Sequence, residues 1–241
     1  MTALLAALLL AMIAQTAPEA PTSAPPPRDE RARPLDPEYQ ACIDAVREDA
    51  KSGREAAMKW QAESNNSPAA EHCLAVADLA AGYPLAGAMH LQKLAQRADA
   101  GEPLVRARIY AEAAEAWLKA GQNGLASKAV EDAFKLAPDA GELYLIKAQI
   151  EFAEGRMQAT IDAVTAAQER GFESAESHVL RGRALHALTR NREAAEDVVA
   201  ALKLDPLNVD ALVLRGDLHQ AGVDIKARYK RAPAQSPSSD G

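Results

Sequence analysis

Cysteine and histidine are the residue types here with the widest chemical reach, and the chain holds few of either. The two cysteines, Cys42 and Cys73, each fall five residues after a proline, Pro37 and Pro68. Thiols at matched positions can close a disulfide, lie as two buried free thiols, or, with further ligands, hold a metal. The metal and redox readings need a Cys-x-x-Cys or a second ligand pair. The sequence offers neither, only His72 beside Cys73. The other histidines are His90, His178, His186 and His219. His178 and His186 stand eight apart, slightly over two helical turns, and read as scattered helix histidines rather than a ligand cluster. No His-Glu-x-x-His, no Gly-x-Ser-x-Gly and no phosphate-cradling loop ending in Gly-Lys-Ser/Thr occurs. Aspartate and glutamate are spread along the chain, often at pair spacing from Lys or Arg, and none marks an acid–base dyad. The expectation is a protein without catalytic activity, metal or cofactor.

The chain has 241 residues, 48% of them hydrophobic but only 4% aromatic, and alanine is the commonest residue by a wide margin. Alanine is the best helix former and a poor strand former, and it lets helices approach closely. The expected class is all-α. The net charge of −7 argues against nucleic acid, whose binding requires a basic face that displaces counterions. The one basic cluster, Lys226, Arg228, Lys230 and Arg231, reads as a solvated helix end.

Residues Ala3 to Ala14 form an apolar run too short to span a bilayer and of the length of a signal-peptide core. Small residues follow at Ala14, Thr16 and Ala17. A buried N-terminal helix is the alternative, but Pro18, Pro21 and Pro25 to Pro27 come immediately after, and a helix interior does not hold them. Residues 1–16 are therefore read as a signal peptide and 17–36 as a Pro-rich extended tether. The protein is expected in the periplasm or outside the cell. Residues 223–241 read as a basic stretch followed by a Pro- and Ser-rich tail.

Between these ends the chain repeats at 34 residues. A small residue recurs at Ala114, Ala148, Gly182 and Gly216, with a bulkier residue four places earlier at Tyr110, Tyr144, His178 and Leu212. Further columns are Ala126, Thr160, Ala194; Val130, Val164, Val198; and Ala133, Ala167, Ala201. Units close at Pro138 and Pro206, with Phe172 between them, and turn residues fall mid-unit at Gly121, Gly155 and Thr189 to Asn191. Each unit holds two helices that cross where one offers nothing larger than Ala or Gly, since more bulk would overpack the contact. A single pair cannot bury its apolar face, so pairs stack.

These columns resemble the tetratricopeptide repeat family. The resemblance is strongest over Glu173–Asn208, where Gly182, Leu185, Ala194, Ala201 and Pro206 fit and the unit ends Ala-Leu-Lys-Leu-Asp-Pro. It is good over 106–140. Over 141–173, Thr160 and Phe172 stand where the family has Ala and Pro. Val209–Ala221 reads as a capping helix. Upstream, Pro37–Ala50 with Arg54–Glu63, split at Ser52-Gly53, and Pro68–Ala81 with Leu85–Ala98 read as degenerate pairs, of which only Ala80 keeps the column. The resemblance implies a right-handed helix-pair solenoid of about five pairs plus a cap, with residues 37–101 degenerate and 102–222 regular.

In such a stack successive first helices run side by side, so Cys42 and Cys73, at equal depth, come together. In an exported protein a disulfide is the expected outcome; two buried free thiols are the alternative. The resemblance further implies a groove along the first helices, lined by Arg108, Ala111, Glu115, Glu142, Leu145, Gln149, Phe152, Val179, Arg183, His186, Val213, Asp217 and Gln220. Leu145, Val179 and Val213 form an apolar row there, or else pack helix on helix. The Lys and Asn set with which part of the family grips a C-terminal carboxylate is missing. The implied function is a scaffold binding a peptide or partner protein. The competing readings are a self-associating envelope protein, and a small-ligand binder or enzyme.

Overall fold

The computed structural model describes residues 36–225; the expected signal peptide, most of the tether and the basic tail lie outside them. The described residues form eleven α-helices: α1 Pro37–Glu48, α2 Ala50–Glu63, α3 Pro68–Ala80, α4 Pro84–Gln96, α5 Pro103–Lys119, α6 Asn123–Leu136, α7 Gly141–Ala153, α8 Met157–Glu169, α9 Ala175–Ala187, α10 Asn191–Leu204 and α11 Val209–Gln220. Each helix packs on the next. The odd-numbered helices also touch one another, α1 with α3, α5 with α7, α7 with α9 and α9 with α11. Five helix pairs followed by an unpaired helix is the solenoid expected from the repeat.

The starts and stops follow local chemistry. Proline opens α1, α3, α4 and α5, where its missing N–H costs nothing. Asp36 and Ser67 accept backbone N–H groups of the first turns of α1 and α3, and Ser174 with Ser177 forms a capping box on α9. Gly121 and Gly155 make the turn inside two pairs at positive φ, the conformation glycine adopts without steric cost. Thr189 holds the same place at φ 60°, a strained choice for a β-branched residue.

The columns are the contacts. Ala114, Ala126, Ala133, Ala148, Val164, Ala194, Val198 and Ala201 are all fully buried. Thr160 is buried too, and its hydroxyl donates to the Arg156 carbonyl at 3.1 Å, so the extra oxygen is satisfied within its own helix. Phe172 takes the place of proline because Gly141 leaves room for it. A Cβ on Gly141 would lie 2.7 Å from the Phe172 Cβ.

Two expectations for the upstream pairs are corrected. Ser52-Gly53 is not the turn: the chain breaks at Asp49, whose side chain caps α2 by accepting from Ser52 N at 2.7 Å. Gly53 lies inside α2 and is buried against Val46 and Ala45 of α1, which makes it the close-approach residue of that pair. Ala80 does not make the crossing of the second pair, since it is exposed at the end of α3. Gly87 of α4 does so, seated against Leu79 and the Ala75 carbonyl. In both degenerate pairs the small residue has moved from the first helix to the second, which hides the column from a fixed-register search.

Cys42 and Cys73 are joined by a disulfide, with Cα atoms 6.4 Å apart, bridging α1 and α3 within a cluster that includes Val46, Ala57, Leu74 and Ala77. The larger cores run from α3 to α7 and from α8 to α11. Val223 and Ile225 pack onto the second core, and the Val223 N–H donates to the Leu218 carbonyl at 2.9 Å.

Candidate protein-binding groove

Polar side chains of the first helices bond from α1 through α3 to α5, and from α7 through α9 to α11. At the upstream end the Tyr39 hydroxyl donates to His72 Nδ1 at 2.9 Å, and His72 Nε2 donates to Glu112 at 2.8 Å, linking α1, α3 and α5. Burial, and then the charge of Glu112, push the Tyr39 phenol above its ordinary value.

Downstream the pattern is repetitive. Residues 34 apart occupy equivalent places, giving one row of Arg108, Glu142, Glu176 and Asp210 and another of Glu115, Gln149, Arg183 and Asp217. Gln149 Nε2 donates to Glu176 at 2.7 Å, and Arg183 Nη2 donates to Asp210 at 2.7 Å. Each bond joins the second row of one helix to the first row of the next. The equivalent pair one unit earlier is Glu115 and Glu142, both carboxylates. Glu115 is held above the usual carboxylate range, first by desolvation and then by Glu176, Glu112 and Glu142, against the opposing pull of Lys119. The residue is exposed yet feels charges from three helices, as a side chain on a sheltered face does.

Between α9 and α11 this face holds a cleft of about 290 Å³ lined by Glu176, Val179, Leu180, Arg183, Asn208 and Asp210. Of the residues expected in the groove, Arg108, Glu115, Glu142, Val213, Asp217 and Gln220 are exposed, and Gln149, Phe152 and Arg183 are half-buried. Ala111, Leu145 and Val179 are buried, Val179 still forming a wall of the cleft. Val213, on the last of the described helices, is 52% exposed. His186 turns instead to the start of α10, with Nδ1 2.8 Å from Asn191 Oδ1. His178 lies elsewhere, buried between α9 and α10. It is 2.8 Å from Asp197 and 2.7 Å from Glu173, and Arg181 donates to the same Asp197. Its imidazole is held above the ordinary range, chiefly by the Asp197 bond and against desolvation. Asp197 is held below its ordinary value: desolvation raises it, but His178 and Arg181 outweigh that.

Several polar residues of the face were not singled out from the sequence: Tyr39 and Glu112 upstream, and Glu176, Asn208 and Asp210 at the cleft; His72 was noted only as the neighbour of Cys73. Extending the 34-residue rows to polar positions would have found Glu176 and Asp210. Two buried carboxylates of α3 were also missed, Glu71 bonded to Arg97 and Asp78 bonded to Arg54. They tie α3 to α4 and α2 rather than to the face. A second, more apolar hollow of about 420 Å³ lies beside α4, walled by Met89, His90, Gln92 and Trp117.

No family model matches the sequence, and no curated protein matches it. The fold does have solved counterparts. A chain of the Cut9–Hcn1 hetero-tetramer of the APC/C superposes with a TM-score of 0.63 at 13% identity, over 77% of this chain and 36% of that one. This chain thus spans about a third of that protein. A thermophilic TPR protein of Thermus thermophilus, TTC0263, gives 0.58 at 16% identity, over 76% of this chain and 97% of that one. YrrB, described as a TPR protein with an unusual peptide-binding site, gives 0.54 at 15% identity, over 78% and 91%. At these identities the likeness is one of fold. The chain has the helix-pair solenoid architecture of the tetratricopeptide-repeat proteins.

Proposed function

We propose that this protein is a non-enzymatic scaffold that seats an extended segment or helix of a partner protein along its first-helix face, and that it works in the periplasm or outside the cell. The observation that carries the reading is the face itself. Its side chains bond across helix boundaries from α1 to α5 and from α7 to α11, and a cleft opens on it beside exposed polar groups. Of the solved counterparts, YrrB is described as having an unusual peptide-binding site, which supports a binding role. A buried disulfide suits an oxidising compartment, as does the apolar run at the amino terminus.

The test is crosslinking of the protein in its native envelope, compared with a variant carrying Val213→Asp and Asp217→Lys. Both positions are exposed, so the circular dichroism melting profile should not change. A crosslinked protein lost in the variant supports the groove; one captured equally by both overturns it. A second reading is self-association, favoured by apolar residues left exposed around the unpaired end: Leu204, Leu207, Val209 and Val213. Light scattering after size exclusion decides that reading, since a stable dimer at micromolar concentration would support it.

A further inference from the structure

A hollow of about 270 Å³ lies between α6 and α7, turned away from the groove. Gln149 belongs to the groove, whereas Lys147 and Glu151, two residues to either side of it, line the hollow. On a helix of 3.6 residues per turn, positions two apart point about 200° from each other. The walls are apolar: Val130 and Ile150 are buried, and Phe134, edge-on against Tyr144, is half-buried. Four charged side chains complete the lining, and they cancel, Lys147 and Arg156 against Glu131 and Glu151. Arg156 is already bonded to Glu151 and Glu154. Lys147 and Glu131 are not engaged in this way. Among the described residues neither has a hydrogen bond or an ion pair, with the other or with any other group. Lys135, four residues after Glu131, donates to Asp132 instead.

The next unit supplies a comparison. Residues 34 further on line an equivalent hollow of about 230 Å³, with Arg181 in place of Lys147, Arg190 in place of Arg156 and Thr165 in place of Glu131. There the protein itself engages each cation: Arg181 is held by Asp197 and Gln168, and Arg190 by Glu193. The repeat thus answers its cations internally in one unit and leaves Lys147 open in the other, with a carboxylate across the same apolar hollow. A ligand that pairs with only one of these charges expels water from the other without compensating it. A zwitterion compensates both and leaves the site neutral. The volume falls just under the range of about 300–1,000 Å³ usual for ligand pockets, so the complement is small.

We propose that the hollow between α6 and α7 binds a free amino acid with an apolar side chain. Its carboxylate pairs with Lys147, its ammonium with Glu131, and its side chain lies against Val130, Phe134 and Ile150. A protein terminus brings only one of the two charges, and a longer peptide exceeds the space. The site is separate from the groove and does not depend on the groove reading.

The experiment titrates the isotope-labelled full chain with L-leucine and with L-phenylalanine and follows the backbone amide resonances. Leucinamide lacks the carboxylate and N-acetyl-L-leucine lacks the ammonium, so each tests one charge; L-leucyl-L-leucine is the longer zwitterion. Saturable shifts are expected in α6 and α7 with at least one of the two amino acids. The three analogues should bind at least about tenfold more weakly, the loss expected for one charge-assisted bond. Lys147→Gln and Glu131→Gln should each weaken amino-acid binding by a similar factor. Both side chains are exposed, so the melting temperature without ligand should not change. No saturable shift at millimolar amino acid overturns the proposal, as does binding indifferent to either variant. Leucinamide and N-acetyl-L-leucine binding as well as leucine would reduce the hollow to an apolar dent and overturn the zwitterion. Tighter binding of the dipeptide overturns the free amino acid, and shifts confined to the first-helix face overturn the location.

Discussion

Two of the helix-interior glycines, Gly53 and Gly216, allow one substitution to be tested with opposite outcomes. Both sit inside helices, α2 and α11, where replacing glycine by alanine gains about 1 kcal/mol of helix propensity. At Gly216 nothing lies within 4 Å of an added Cβ, so Gly216→Ala should stabilise by about 1 kcal/mol. At Gly53 the new Cβ would stand 2.5 Å from Val46 Cα, 2.7 Å from Val46 N and 2.9 Å from the Ala45 carbonyl carbon. These are backbone atoms of α1, and a methyl group enters only if the whole helix moves. Overpacking costs typically about 1–3 kcal/mol, and a backbone obstruction belongs at the upper end, about 3 kcal/mol. Subtracting the propensity gain leaves a net loss of about 2 kcal/mol, or about 4–8 °C in melting temperature for a chain of this size. Urea denaturation followed by circular dichroism measures both variants. If Gly53→Ala raises the midpoint as Gly216→Ala does, then α1 and α2 do not cross at Gly53 and the packing of that pair is wrong.

Other perturbations test other links. Gly182→Leu forces a side chain where even a Cβ would lie 2.9 Å from Leu214 and 3.3 Å from Asp197 Cβ. It should cost at least about 1–3 kcal/mol, and an unchanged melting temperature would dismiss the crossing. Reduction should lower the melting temperature of the native protein but not of Cys42→Ser. The lost crosslink closes a separation of 31 residues and is worth about 3–4 kcal/mol in the chain-entropy model; two alkylatable thiols in the purified protein would contradict it. His178 is raised in the folded state, so its contribution is complete below its unfolded value of about 6.5 and declines as pH rises through the folded value. Asp197 is lowered, so its contribution is present above about 3.9 and is lost as pH falls through its folded value. The pair thus stabilises most between about pH 4 and 6.5. Urea midpoints at pH 5.5 and 8.5 should fall with rising pH in the native protein and less so in His178→Gln; equal slopes would refute the assignment.

The regular half of the solenoid was legible because its columns are contacts. Ala114, Ala148 and Gly182 recur at 34 residues since each lies where two helices touch, and the structure buries all three. The degenerate half was less legible for a specific reason. Gly53 and Gly87 serve the same crossing from the second helix, and glycine in a weak repeat reads as a turn. At the groove, the residue columns were visible but not their accessibility. Leu145 and Val179 are buried, whereas Val213, in the same column, is exposed. The column fixes which way a side chain points, and the next helix decides whether water reaches it.

By itself the sequence determined the all-α class, the 34-residue period, the count of helix pairs and the meeting of Cys42 with Cys73. The class follows from the alanine content, the period from spacing along the chain, and the other two from the stack that the resemblance implies. Only the tertiary structure decided that Gly53 is a packing residue, that His178 belongs to a buried ion pair with Asp197, and that the diagonal bonds of Gln149 and Arg183 give way to two carboxylates at Glu115 and Glu142. Those depend on which helix lies alongside which, and on how closely. Side chains 19 to 27 residues apart acquire these partners only when the stack has closed.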